Sequence, residues 1–401
     1  MANRPLHAVI GLDTAHLTDL LAEAVQGTGP AVLPVPEATP APALRTLLET
    51  LRPTAVRTVE GLTARADGVR VAEDTAVIVA TSGSTGAPKG VELSATALLR
   101  SARASLDRIG AGPGDTWLCT LPTGHISGLQ VLVRALVCGT TPLHRRFDVA
   151  SVLNAGREHR PYVSLVPTQL RRLLAAEADL SVFPTILLGG APPAPELLRA
   201  AREAGGRVVV TYGMSETCGG CVYDGVPLEG VTVELEADGR IRLAGPMLLR
   251  GYRLRPELTR QTVVTDATGR SWVRTNDLGA FDEQGALCVR GRMDDVINTG
   301  GHKVVASEVA AVLSQLESIA EVVVVGRPDP EWGERVTAVV VPAEPDAPPP
   351  LEQLRDWVRT RLPSYAAPHE IDVRTKLPML AVDKPDLAAL RRTDIKDTPS
   401  D

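Results

Sequence analysis

The run Thr81-Ser82-Gly83-Ser84-Thr85-Gly86-Ala87-Pro88-Lys89-Gly90 gathers hydroxyls, glycines and one lysine directly behind the apolar stretch Ala76-Val77-Ile78-Val79-Ala80. Glycines let a backbone turn its N–H groups towards an anion, Ser82, Ser84 and Thr85 add hydroxyl donors, and Lys89 adds a compact cation. Such a set cradles phosphate. It is not the common nucleotide P-loop, because G-x-x-x-x-G-K-[ST] is absent and Lys89 stands between Pro88 and Gly90. A surface Gly/Ser linker is the bland alternative. The buried strand in front and the Pro-Lys-Gly ending argue against it.

Three further clusters carry chemistry. Thr211-Tyr212-Gly213-Met214-Ser215-Glu216-Thr217 reads as a loop after the strand 208–211. There the Tyr212 ring can stack on a nucleobase, and Glu216 can hold Mg²⁺ against phosphates presented by the first loop. Thr275-Asn276-Asp277-Leu278-Gly279 is read as placing Asp277 just after a strand, where a carboxylate accepts ribose hydroxyls. His125, within Thr123-Gly124-His125-Ile126-Ser127-Gly128-Leu129, stands at a loop-to-helix transition. Its spacing fits a residue reaching into a cleft and a helix-capping or core histidine equally well.

The elements that must position these residues alternate. Short helical patterns at 17–25 and 44–51 flank a Pro-rich stretch, 30–42, and say nothing about chemistry. After the phosphate loop a helix is expected from Ser94 to Ile109, stopped at Gly110, so that strand, loop and helix follow one another. Strand segments at 117–122, 162–166, 185–190 and 208–211 then alternate with helices through Cys138, at 168–176 and at 195–204. Repeated units of this kind predict an α/β architecture with a largely parallel sheet, ligands lying beyond the carboxyl ends of the strands. From 231 to 289 the pattern changes to short strands and turns, a small β-rich subdomain. Gly291-Arg292-Met293-Asp294-Asp295 marks a boundary. The expected organisation is a large domain over 1–293 and a small mobile α+β domain over 294–401, containing a helix at 307–316, strands at 321–325 and 335–341 and a helix at 351–361.

Composition bounds the partners. At 401 residues, 44% hydrophobic and 22% charged, the chain has the make-up of a globular protein of two or three domains. A formal charge of -6 gives no bulk attraction to nucleic acid or an anionic membrane, so phosphate recognition must be local and the ligand small. No apolar run is long enough to span a bilayer and residues 1–6 lack a signal pattern, from which a cytoplasmic location is expected. The five cysteines are too few and too odd in number for a disulfide framework. Cys218-Gly219-Gly220-Cys221 has no second ligand pair, which disfavours a zinc or redox site.

Taken in order, the loop ending at Lys89-Gly90, the segment 122–128, the Tyr212 cluster, Thr275-Asn276-Asp277-Leu278, Gly291 to Asp295 and Lys384 resemble the adenylate-forming superfamily of acyl-CoA synthetases, adenylation domains and luciferases, over roughly residues 70 to 390. Within it the likeness is to the short actinobacterial o-succinylbenzoate–CoA ligases of menaquinone biosynthesis. His125-Ile126-Ser127-Gly128-Leu129, Leu188-Gly189-Gly190-Ala191-Pro192 and the stretch from Tyr212 to Leu228 carry that likeness. The resemblance implies a two-step reaction in which a carboxylate attacks the α-phosphate of ATP to give acyl-AMP, and the CoA thiol then takes the acyl group.

It also implies roles. Ser82, Gly83, Ser84, Thr85, Gly86 and Lys89 would hold the β- and γ-phosphates, and Thr85 with Glu216 would place Mg²⁺. Gly189, Gly190, Ala191, Pro192 and the run Thr211, Tyr212, Gly213, Met214, Ser215 and Thr217 would frame the nucleotide, and Asp277 with Arg292 would grip ribose. His125, Ser127, Gly128 and Gly213 would line the acyl pocket. Asp294 would be the hinge, Lys384 the adenylation lysine, and Gly300 with Gly301 would line the pantetheine channel. Departures from the family pattern are Asp383, where glycine usually precedes the lysine, Asn276 ahead of Asp277, and a short stretch before the phosphate loop. Two other readings stay open: a ligase of secondary metabolism loading another aryl or acyl acid onto CoA or a carrier protein, and a catalytically impaired nucleotide-binding homologue, which Asp383 favours. A homo-oligomer is also left open. Amino-acid activation is disfavoured, because 123–127 offers no Asp to meet an α-amino group.

Overall fold

β1 (Leu6–Ile10) opens a mixed seven-stranded sheet whose parallel centre is built by βαβ crossovers. The chain continues through α1 (Thr14–Gln26), β2 (Ala31–Val35), α2 (Ala41–Leu51), β3 (Ala55–Thr58), β4 (Gly61–Ala64), β5 (Thr75–Thr81) and β6 (Lys89–Ser94). The order across the sheet is Gly251–Tyr252, β6, β5, β2, β1, β3, β4. The computed structural model describes residues 3–81, 88–379 and 385–392. Ser82, Gly83, Ser84, Thr85 and Gly86 of the expected phosphate loop, and Asp383 with Lys384, lie outside the described residues. The strands flanking that loop pair antiparallel, Thr81 opposite Lys89, so the order is strand, loop, strand and then helix rather than the strand-loop-helix expected. The Pro-rich stretch contains the fully buried β2, with Pro34 opposite Val9 on the neighbouring strand.

α3 (Ala95–Ile109) begins and ends where the sequence places it. Ser94 caps it by accepting the Ala97 N–H at 3.1 Å, and Gly110 closes it at φ 76°. A second seven-stranded sheet follows from β7 (Trp117–Cys119), α4 (Ile126–Cys138), α5 (Val149–His159), β8 (Tyr162–Leu165), α6 (Pro167–Ala175), β9 (Ile186–Leu188), α7 (Pro195–Glu203), β10 (Val208–Met214) and β11 (Gly219–Tyr223). Its order is Leu143–His144, β7, β8, β9, β10, β11, Val226–Pro227, parallel as far as β10 and antiparallel beyond it. The helices on one face bury Leu118, Val163, Leu170, Phe183 and Ile186 in a common core. β12 (Arg240–Ala244), β13 (Ser271–Phe281) and β14 (Leu287–Arg292) belong to a third, smaller sheet, the β-rich region read from the sequence. β13 is much longer than expected, and Asp277 lies inside it rather than after it.

The chain forms two compact units, Met1–Glu234 with Arg242–Thr275 and Asp282–Leu287, and Leu235–Ile241 with Asn276–Phe281 and Cys288–Asp401. The second contains β15 (Val296–Thr299), β16 (His302–Val305), α8 (Ala306–Leu313), β17 (Ile319–Asp329), β18 (Gly333–Pro342), α9 (Leu351–Arg359), β19 (Glu370–Val373) and α10 (Leu387–Arg391). Its sheet runs β16, β15, β18, β17, with β19 parallel to β18. Val309, Leu313, Val336, Ala338, Leu354 and Val358 fill its core.

Candidate active site

Register brings the segments that leave β8, β9 and β10 together at one end of the second sheet. Leu165 pairs with Leu188 and Leu188 with Val210, so the segments leaving β8, β9 and β10 start side by side. Gly189 follows Leu188 in close contact with β10: a Cβ there would stand 2.5 Å from Thr211 Oγ1, and that hydroxyl donates to the Leu188 carbonyl at 3.3 Å. Gly190, Ala191 and Pro192 are exposed beyond it, Gly190 at φ 87°.

The Tyr212 cluster is not a loop. β10 runs on through Met214 and pairs antiparallel with β11, shifting register between Tyr212 and Gly213. A Cβ on Gly213 would lie 2.0 Å from the Gly219 carbonyl oxygen, so close strand approach is what demands glycine. A single helical turn, Ser215–Thr217, then lifts Glu216 out of the strand. Buried Thr217 fixes that turn, its hydroxyl accepting the Met214 N–H at 3.0 Å and lying 2.8 Å from the Gly219 carbonyl. Cys218 follows at φ 53°, a left-handed conformation that costs a non-glycine residue roughly 1 kcal/mol. Its carbonyl is held by Gln130 Nε2 at 2.7 Å and Ser101 Oγ at 3.3 Å.

Half-buried Glu216 accepts the Tyr252 hydroxyl on Oε1 at 2.7 Å. Burial, then the charge of Glu216, pushes the phenol's ionisation up, so Tyr252 is a neutral donor. The short strand bearing Tyr252 pairs with β6, Tyr252 opposite Val91, and the Arg253 N–H donates to the Gly90 carbonyl at 2.7 Å. Lys89 begins β6, so its strand and the turn of Glu216 are joined through Tyr252. Gly90 has a packing role: a Cβ would meet Leu51, Arg253 and Ile78 within 2.9 Å. Among the described residues no group of three or more His, Cys, Asp or Glu could hold a metal ion. Mg²⁺ takes one or two protein carboxylates together with phosphate oxygens, a demand that Glu216 alone fits.

His125 is the exposed N-cap residue of α4, and Ser127 is also exposed. Gly128 is buried, and a Cβ would lie 2.4 Å from the Pro122 carbonyl oxygen, so it lets the helix start close against the chain that precedes it. One face of α4 then carries residues that the motif reading missed. Ile126 packs near Gly219, Gln130 holds Cys218, and Arg134 is 6% exposed inside the protein. Arg134 donates to Ser105 Oγ at 3.3 Å and Ser164 Oγ at 3.1 Å and lies over the Trp117 ring, while its Nε has no partner. Ser105 meets Tyr223 OH at 2.6 Å, and Tyr223 lies beside Gly220 and, through it, Thr211. Among the described residues no carboxylate pairs with Arg134, whose titratable neighbours are Tyr223 and cysteines, and burial lowers its pKa. A lone cation in an apolar helix was the available signal.

Three buried thiols lie near these elements. Burial pushes Cys119 up to about 11 and Cys221 up to about 12, and Cys218 higher still, so all three stay protonated and the C-x-x-C pair holds free cysteines.

In the second unit Asp277 is half-buried on β13 and Arg292 is exposed at the end of β14. Asp294 Oδ2 accepts from Asn276 Nδ2 at 2.8 Å and Arg292 Nη2 at 3.3 Å. Gly300 and Gly301, at φ 55° and 78°, form the turn between β15 and β16, and a Cβ on Gly300 would strike the Trp332 ring at 2.7 Å.

Glycine turns at strand ends, an aromatic, a carboxylate held by a phenol and a C-terminal α+β unit together define a class. The chain belongs to the AMP-binding enzyme family, residues 9–294 matching the AMP-binding enzyme model and 308–384 that of its C-terminal domain. It is 40% identical over 402 residues to a probable 2-succinylbenzoate–CoA ligase of Mycobacterium tuberculosis, covering 97% of this chain and 98% of the relative. It is 34% identical over 337 residues to the 2-succinylbenzoate–CoA ligase of Bacillus licheniformis, covering 78% and 69%. Among solved structures it is similar to o-succinylbenzoate CoA synthetase from Bacillus subtilis in complex with the acyl-adenylate OSB-AMP. There the TM-score is 0.83 at 27% identity, over 97% of this chain and 88% of that one. The same enzyme with ATP and magnesium ion gives a TM-score of 0.82 at 26% identity, over 98% and 90%. No helix among the described residues is long and apolar enough to cross a membrane.

Proposed function

We propose that this chain is an ATP-dependent, AMP-forming ligase that adenylates 2-succinylbenzoate and transfers the acyl group to CoA, a step of menaquinone biosynthesis. The observation that carries this reading is the end-to-end match at 40% identity with a ligase of that name, which leaves almost no part of either chain unmatched. Arg134 adds a chemical reason. 2-Succinylbenzoate bears two carboxylates, and activating one leaves the other to be held. A buried guanidinium with no acid of its own is a costly feature that a second substrate carboxylate would offset.

In this reading Ser82 to Gly86 and Lys89 bind the β- and γ-phosphates, Gly189 to Pro192 and Tyr212 frame adenine, and Asp277 with Arg292 holds ribose. His125 and Ser127 edge the acyl pocket. Glu216, oriented by Tyr252, and Thr85 would hold Mg²⁺, which when bound neutralises phosphate charge. Lys384 bridges the attacking carboxylate and the α-phosphate, where a cation offsets charge as it develops. The C-terminal domain, from about residue 294, turns on Asp294 between half-reactions and brings Gly300-Gly301 to the pantetheine arm. A cytoplasmic location belongs to the same reading.

The test is pyrophosphate release with a panel of acids, followed by thioester analysis with CoA. Turnover of 2-succinylbenzoate is expected, and turnover of other acids alone would refute the substrate assignment. Arg134→Met should raise KM for 2-succinylbenzoate at least about thirtyfold, about 2 kcal/mol for a lost buried charge pair, without lowering Tm. An unchanged KM would remove Arg134 from the acid site.

A further inference from the structure

The turn that lifts Glu216 out of β10 is held at Glu216 itself and again just past its end. Glu216 Oε1 accepts the Tyr252 hydroxyl at 2.7 Å, and the Glu216 carbonyl accepts the Leu249 N–H at 2.9 Å. Beyond the turn two helices converge on one atom, the Cys218 carbonyl oxygen, which accepts Gln130 Nε2 at 2.7 Å from α4 and Ser101 Oγ at 3.3 Å from α3.

Cys218 stands at φ 53° and ψ 32°, and Gly219 follows at φ 93°. Two successive residues with positive φ are the pattern of a type I′ turn, in which Gly, Asn and Asp are the usual residues because they bear that conformation at little cost. A fully buried cysteine in the first of these places is not there by its own preference. Left to itself Cys218 would return to negative φ and its carbonyl would swing away from α4, and the two side chains on that carbonyl oppose the change. Gln130 is 3% exposed, and its Oε1 has no partner among the described residues, so the bond to Cys218 is kept at the expense of a buried, unsatisfied acceptor. Glycine at 219 leaves room for it: a Cβ there would lie 3.4 Å from Gln130 Cγ.

We propose that Gln130 is a positioning residue for the metal-binding carboxylate: by holding the Cys218 carbonyl it keeps the turn 215–217 in the shape that presents Glu216 to the ATP-bound cation. The proposal rests on the function proposed above. Tyr252 fixes the end of the Glu216 side chain, whereas Gln130 fixes the backbone from which that side chain springs. Loss of the amide donor loosens the turn without removing any group that meets ligand, and a misplaced carboxylate engages the cation less well.

The experiment uses the full chain and the variants Gln130→Met, Cys218→Gly, the two combined, and Ser101→Ala. Pyrophosphate release is measured at limiting and at saturating Mg²⁺, and amide hydrogen exchange from Glu216 to Gly219 is measured without nucleotide or metal. Gln130→Met keeps the side-chain length and removes the donor. It should slow release at limiting Mg²⁺ about fivefold, the worth of one neutral hydrogen bond, approach the parent rate as Mg²⁺ is raised, and speed exchange of the Cys218 N–H, which donates to the Ser215 carbonyl at 3.2 Å within the turn. With glycine at 218 the backbone supplies the left-handed conformation itself, so in that background Gln130→Met should cost less than about twofold. An equal cost in both backgrounds, a loss that Mg²⁺ does not relieve, or unchanged exchange would overturn the proposal. Should Gln130→Met not fold, Ser101→Ala, which trims a single hydroxyl from the same carbonyl, carries the test at about twofold, again with faster exchange at Cys218. Should the parent chain release no pyrophosphate with any acid, the ligase reading fails, and hydrogen exchange still decides whether Gln130 holds the turn.

Discussion

Replacing Tyr252 by Phe takes one hydroxyl from the site and leaves the ring, 8% exposed, in its packing. That hydroxyl donates to Glu216 Oε1 at 2.7 Å, a hydrogen bond to a charged acceptor. Such bonds contribute about 1.5–3 kcal/mol net, and because Glu216 is half-buried, water replaces part of what is lost. The lower end applies, about 1.5 kcal/mol, or about tenfold in an equilibrium. Glu216 is then free to rotate, so the deficit falls on its engagement with the ATP-bound cation rather than on folding. The phenol's raised ionisation keeps Tyr252 a donor on the alkaline side, so raising the pH should not by itself abolish the effect. Pyrophosphate release at limiting Mg²⁺ should therefore fall about tenfold in Tyr252→Phe and approach the parent rate as Mg²⁺ is raised. A rate unchanged at low Mg²⁺, or a loss that no Mg²⁺ concentration relieves, would refute the coupling of Tyr252 to Glu216.

Two other outcomes are expected. Lys384→Ala should abolish acyl-AMP formation, read as pyrophosphate release, while sparing thioester formation from supplied acyl-AMP; equal loss of both would remove the role given to that lysine. For Asp372, burial alone would raise the carboxyl pKa, but hydrogen bonds from Arg374 and Arg327 outweigh it and hold it below the ordinary value. A depressed folded-state value contributes stability that is present above the unfolded value and lost as pH falls through the folded one, so Tm should drop on acidification below about 4 and Asp372→Asn should flatten that slope.

Local chemistry made much of the fold legible. α3 was readable at both ends because Ser94 and Gly110 are needed by the helix itself, whatever surrounds it. β2 was hidden by Pro30, Pro34 and Pro36, residues that argue against a central strand, yet its buried neighbours hold it between β1 and β5. β6 was masked by the Pro-Lys-Gly ending of the phosphate loop, although Val91 and Leu93 alternate on its buried face.

The site divides along a different line. Residues expected to touch ligand were recognisable by type, because phosphate, ribose and metal select hydroxyls, glycines and carboxylates wherever they occur. Gly213 was picked out for backbone freedom, but the contact that forbids a side chain there is with Gly219, across a hairpin that no local rule announces. The residues that support these groups are ordinary side chains made special by distant partners: Tyr252 by Glu216, Gln130 by the strained Cys218. Each partnership joins positions tens of residues apart, so neither member signals the other in the sequence. An adenylation site is for this reason easier to detect than to understand: its ligand-binding groups obey local chemistry, whereas the precision that would make them catalytic rests on contacts that exist only once the chain has folded.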